Sequence, residues 1–137
     1  MSRKVARELA FKVVFSYDFQ EDESTFDNLI NDLKKENTDI TEEDDAYIQN
    51  VVAGVVEKKE ALDEIIKKYL KGWTMERISK TDLAILRLAT FEILYRDDIP
   101  YKVSVNEAIE LAKAFSEEAS SSFINGVLAG VIQEAEK

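Results

Sequence analysis

The stretch LAILRLATFEILY, residues 83–95, is apolar on nearly every side of a helix. A helix that is hydrophobic all round has no face to give to water, so it must run through the middle of a domain with other helices around it. Its charges, Asp82 at the start and Arg87 and Glu92 further on, point in three directions around the axis. A charge on a central helix must reach a partner or the surface. Internal ion pairs or caps account for Arg87 and Glu92, whereas Asp82, nearer the helix start, is free to meet a binding partner.

The rest of the chain supplies the helices that such a centre needs. One proline and four glycines leave few turn signals, and apolar residues recur at helical spacing between them. The class is all-α, one domain over residues 1–137, long enough for a real core. Helices are expected at 3–17, 25–35, 42–70, 80–96, 105–116 and 121–136, with a short helical turn around 75–78. Four Ser/Thr-x-x-acid pairs announce helix starts: Ser24 with Asp27, Thr41 with Asp44, Ser79 with Asp82 and Ser104 with Glu107. Pro100 blocks continuation of the preceding helix. The 105–116 helix shows the stripe Val105, Ala108, Ile109, Ala112, Phe115.

SSSFINGVLAGV, residues 120–131, places two glycines four apart inside an apolar helix, each costing roughly 0.5–1 kcal/mol relative to alanine. Ile124, Val127, Leu128, Val131 and Ala135 form the core stripe. Phe123, Gly126 and Gly130 form a second, mostly small face that lets another helix come close. The serines supply the helix cap, and spare hydroxyls beside free backbone N–H groups also suit a phosphate.

Net charge is −10, which argues against nonspecific binding to nucleic acid. The acidity is concentrated, however: residues 18–45 hold twelve acids against Lys34 and Lys35. The first helix is locally basic, with Arg3, Lys4, Arg7 and Lys12 against Glu8. Its core stripe is Ala6, Leu9, Ala10, Val13, Val14 and Tyr17. Rotated by about a third of a turn lie Arg3, Lys4, Arg7, Phe11 and Phe15. Basic groups that hold a backbone, beside rings that stack on unpaired bases, are the chemistry of single-stranded RNA recognition. The alternative is a second packing layer with solvated cations. Basic residues at a helix N-terminus oppose its dipole, which favours a functional reason for them.

The chain contains no histidine and no cysteine. Ser–His and Cys–His nucleophiles are therefore excluded, as is any disulfide. There is no glycine-rich phosphate loop. Glu107 and Glu110 alone make a poor metal site. The expectation is a soluble, cytoplasmic protein that is not an enzyme and needs no cofactor; the start MSRKVARELAF lacks the long apolar core of a signal peptide, and no stretch approaches a membrane span.

Three stretches together resemble one family. ISKTDLAILRLATFEILYRDDIPYKVSVNEAIELAKAFS followed by SSSFINGVLAGV is similar to the C-terminal half of the bacterial transcription antitermination factor NusB, and SRKVARELAFKVVFSYDFQ resembles that family's basic first helix. VAGVVEKKEALDEIIKKYL and Trp73 fill the middle as the family does. The resemblance implies two helical bundles sharing a long central helix. It also implies binding of the boxA element of nascent, mainly ribosomal, RNA together with the small-subunit ribosomal protein NusE, on the elongating RNA polymerase. The family's RNA-contacting positions fall on Arg3, Lys4, Arg7, Phe15, Ser121, Ser122, Phe123 and Asn125, and its NusE-binding acid on Asp82. The arginine cluster is thinner here than in many relatives, and Ala119 and Ala129 stand where acids are common. The family includes monomers and dimers. Two other classes share features with this reading: the N-terminal domain of some RNA cytosine methyltransferases, for which 137 residues leave no catalytic domain, and a helical protein-interaction adaptor that binds no RNA.

Overall fold

A computed structural model describes residues 3–20, 23–36 and 39–137. Among them the chain forms α1 (Arg3–Gln20), α2 (Glu23–Glu36), α3 (Glu42–Glu57), α4 (Lys59–Lys68), α5 (Lys80–Tyr95), α6 (Tyr101–Phe115) and α7 (Ser120–Ala135), with a 3-10 turn at Met75–Arg77. The helix apolar on all sides is α5, and residues 82–93 are buried without a break. It is surrounded by α1, α3, α4, α6 and α7, while α2 lies outside on α1. Among the described residues no helix is long and apolar enough to cross a membrane.

The charges of α5 are paired inside, as expected for Arg87 and Glu92. Arg87 donates from Nε and Nη2 to both oxygens of Asp63, at 2.8 and 2.9 Å, and from Nη1 to Asp18 at 2.9 Å. These bonds tie α5 to α4 and to the end of α1. Burial works against the Asp18 charge, but hydrogen bonds from Lys80 and Arg87 outweigh it and hold the carboxyl below its ordinary range. Glu92 is the meeting point of α1, α3, α5 and α6, described below.

Two of the four caps form as read. The Thr41 hydroxyl accepts from the Asp44 N–H and the Ser79 hydroxyl from the Asp82 N–H, at 3.0 and 3.1 Å. The side chains of Ser24 and Asp27 lie outside those described. Ser104 is no cap: α6 starts four residues early, directly after Pro100. Proline's restricted φ suits it to a helix start. Ser104 is then one turn inside the helix, and its buried hydroxyl donates to Glu92 at 2.8 Å.

The single helix expected over 42–70 is two, separated at Lys58. Nothing in the local sequence breaks it. The bend lets α3 lie against α1 and α5 while α4 turns onto α5 and α7. Lys58 itself extends over the Tyr95 ring, 4.7 Å from its centroid. After α4, Gly72 takes φ +95°, a conformation that a side chain disfavours, and reverses the chain so that Trp73 stands at the surface.

Two glycines are points of close approach. A Cβ at Gly54 would collide with the Phe91 ring, and one at Gly130 with the base of the Tyr69 ring. Gly126, expected on the same close-packed face as Gly130, instead faces open space. The small face is therefore half structural and half exposed.

Glu134, near the end of α7, accepts from Lys68 Nζ at 2.8 Å and from the Tyr69 hydroxyl at 2.7 Å, joining α7 to α4. The Lys68 bond first, then Tyr69 and Lys137, push its carboxyl down to about 2. A carboxyl depressed in the folded state contributes stability above its unfolded value that is lost as pH falls through the folded value. Between roughly pH 5 and pH 2 the melting temperature should therefore fall less steeply in Glu134→Gln than in the wild type. Parallel pH profiles for the two would remove Glu134 from the acid response.

Candidate nucleic-acid interface

The predicted site residues do not all reach the surface. Lys4 is exposed and Arg3 half-buried. Arg3 stacks its guanidinium over the Tyr47 ring at 4.5 Å and lies 3.7 Å from both Glu43 and Asp44. Arg7, read as part of the basic face, points inward and is only 4 % exposed. Its Nε and Nη2 donate to Glu92 at 2.8 and 3.1 Å. Tyr47 and Ser104 donate their hydroxyls to the same carboxylate, which is 1 % exposed. Burial opposes the Arg7 charge, but the Glu92 carboxylate overcomes it and keeps the guanidinium above its ordinary range. Burial and then Glu92 push the Tyr47 phenol up, so it stays a donor. Arg7 is thus a core residue, because it lies beside the stripe on the helix and the buried Glu92 carboxylate needs a cation.

Around α1 the rings form a series. Phe15 is half-buried, between buried Phe11 at 6.2 Å and Phe19 at 5.0 Å, centroid to centroid. Phe19 is 60 % exposed. At the other end Phe11 meets Phe115, 5.2 Å away, and Lys12 extends over that ring at 5.6 Å. Phe115, expected in the core stripe of α6, is exposed. It closes a hollow with Lys4, Glu8, Glu107 and Glu110, so the positive charge here is diluted by acids.

Phe115 is the last residue of α6, and the chain turns at 116–119 into α7. Ser122 and Asn125 are exposed there, Ser121 and Phe123 half-buried. The serines do not cap α7: the N-cap position is Ala119, without a side-chain bond. Phe123 packs on Trp73 at 5.8 Å, and Arg77 lies over the Trp73 ring at 5.7 Å. These three, with Ile78, Ser79, Asp82 and the 116–120 turn, line a cleft of about 310 Å³.

Asp82 lies at the base of that cleft and is not free. It is 8 % exposed, and its two oxygens accept from Ser116 at 2.6 Å and Ser120 at 2.9 Å. A residue near a helix start looks available in sequence; here the α6–α7 turn folds over it.

Phe115 thus meets α1 at Phe11 and Lys12, and the turn after it leads into the start of α7, where Phe123 packs on Trp73. Phe19, Phe115, Trp73 and Arg77, none of them a site candidate from the sequence, are exposed on these same elements, beside Lys12. The four-residue spacing of Phe11, Phe15 and Phe19 was a legible signal; Trp73, in the loop after α4, and Arg77, in the short 3-10 turn, have none. Exposed rings beside lysines can stack on unpaired bases and hold phosphates. Among the described residues no cluster could hold a metal ion.

A model of the family described as "NusB family" matches residues 4–133. The transcription antitermination protein NusB of Acetivibrio thermocellus is 48 % identical over 133 residues, spanning 97 % of this chain and 90 % of that protein. Among solved structures, T. maritima NusB superposes with a TM-score of 0.88 at 32 % identity, covering 98 % of this chain and 92 % of that one. A chain from a structure of antitermination factors NusB and NusE in complex with dsRNA superposes with a TM-score of 0.85 over 96 % of each chain. At 23 % identity that likeness speaks for the fold alone.

Proposed function

This chain belongs to the NusB family, and on that premise we propose that it is a transcription antitermination factor. It binds boxA-type single-stranded RNA of nascent, mainly ribosomal, transcripts together with NusE, and the pair helps elongating RNA polymerase in the cytoplasm to resist termination. The observation that carries the proposal is the match to antitermination proteins along almost the whole chain. It acts as a binding protein and not as an enzyme.

The RNA runs along the exposed rings and cations of α1, with Arg3, Lys4, Lys12 and Phe15 as contacts, and on to Ser121, Ser122, Phe123 and Asn125. Arg7 drops out, because its charge is spent on Glu92. NusE docks on the side where α5 starts. With few free cations and a net charge of −10, the electrostatic part of RNA affinity is small, so binding by the isolated chain should be weak and should tighten strongly with NusE.

Labelled boxA-type RNA titrated with this chain, with NusE and with both tests the proposal. Phe123→Ala should weaken binding. Lys4→Ala with Lys12→Ala should also weaken it and flatten the salt dependence by up to about one log–log unit per lost phosphate contact. Equal RNA affinity with and without NusE would sink the cooperative reading. Unchanged affinity in every variant, with NusE binding intact, would favour a protein adaptor instead.

A further inference from the structure

The start of α7 is held in place by a residue of another helix. Ser120 opens α7 but turns its hydroxyl to Asp82 at 2.9 Å, and Ser116, the residue directly after α6, does the same at 2.6 Å. The two serine oxygens are 2.9 Å apart. Each hydroxyl has a single proton, so with both protons given to Asp82 the carboxylate is the common acceptor of the pair. The Ser79 hydroxyl meanwhile holds the Asp82 backbone N–H at 3.1 Å, which ties the acceptor to the first turn of α5. Both ends of the 116–119 turn are thereby pinned to the central helix.

We infer that Asp82 is a positioning residue for the RNA-binding face: it clamps the α6–α7 turn and so sets where Phe123 stands against Trp73. The consequence for RNA rests on the function proposed above, whereas the clamp is a property of the free protein. A direct contact with a protein partner fits the geometry less well. Asp82 is nearly buried and both of its oxygens are taken, so a partner would have to displace two charge-assisted bonds to reach it. Its loss should instead be felt one turn away, at Phe123 and its neighbours.

Asp82→Ala and the double variant Ser116→Ala/Ser120→Ala remove the clamp from opposite sides. Trp73, the only tryptophan, reports on its packing with Phe123 by its emission, and amide exchange reports on residues 116–122. Both variants should shift the Trp73 emission and speed exchange in that segment while the far-ultraviolet circular dichroism is retained. They should weaken boxA-type RNA binding about tenfold, as for a face that is competent in about a tenth of the molecules. Combining them should do no more than either alone, because both remove one shared interaction.

If the serine variant leaves emission, exchange and RNA affinity as in the wild type while Asp82→Ala loses NusE, then Asp82 is a direct partner contact and the inference is overturned. If Asp82→Ala does not fold, the serine variant, which removes no charge, decides. Phe123→Ala separates the two levels. Should it weaken RNA binding while the clamp variants change emission and exchange but not affinity, the positioning role is overturned. Should Phe123→Ala itself leave affinity unchanged, the RNA role of α7 fails, and emission and exchange alone judge the clamp.

Discussion

Arg7→Ala is expected to lower stability by about 3–5 kcal/mol, the range seen when one partner of a buried ion pair is removed. The loss does not measure how much the pair stabilises. Desolvating both charges costs nearly as much as their attraction returns, and the penalty comes from leaving Glu92 uncompensated in the core. Tyr47 and Ser104 would still donate to Glu92, but neither carries a positive charge. Replacing both partners with apolar residues of similar size, Arg7→Met with Glu92→Leu, should cost less than the sum of the single changes, since residues in direct contact couple. Denaturant midpoints of the two single variants and the double variant make the test. A wild-type midpoint for Arg7→Ala would put the guanidinium back on the surface and restore it as an RNA contact. The same reasoning rules out a combined Arg3, Lys4 and Arg7 alanine variant as a probe of RNA binding, because its loss of affinity would report unfolding.

The three helical glycines should answer alanine with opposite signs. Gly130→Ala and Gly54→Ala force a Cβ into the rings of Tyr69 and Phe91, and overpacking of this kind costs roughly 1–3 kcal/mol. Tyr69 has little room to yield, because the collision is with the root of its side chain and its hydroxyl is held by Glu134. Gly126→Ala meets nothing within 4 Å and should gain about 0.5–1 kcal/mol from helix propensity alone. Melting temperatures of the three variants give the answer, and a destabilised Gly126→Ala would show that something packs on that face. An exposed glycine that lowers helix stability, next to Asn125 and one turn from Ser122, invites a second measurement. If Gly126→Ala is more stable yet binds RNA less well, the glycine is kept for close approach of the ligand.

Taken by itself, the sequence determined the helical class, the central position of α5 and most of the buried stripes of α1 and α7, though Phe11, read on the other face of α1, is buried too while Tyr17 and Ala135 are only half-buried. It also determined the internal pairing of Arg87 and Glu92. These follow from periodicity and from the cost of burying a charge, both of which can be read along one strand of text. The resemblance to the NusB family was equally legible in the runs around Pro100 and Phe123. What only the tertiary structure decided was which partner each polar group found. Arg7 and Ser104 carry ordinary surface and cap signatures, yet both turn inward, because Glu92 is buried where α1, α3 and α6 converge and needs donors from all three. Asp82 reads as open at a helix start and is covered by a turn that arrives 34 residues later. Gly126 and Gly130 are equivalent in spacing, and differ because Tyr69 of the turn after α4 reaches only one of them. In each case the deciding neighbour is distant in the chain, so no local pattern encodes it; the energy of a polar group or a small side chain is settled by what packs against it.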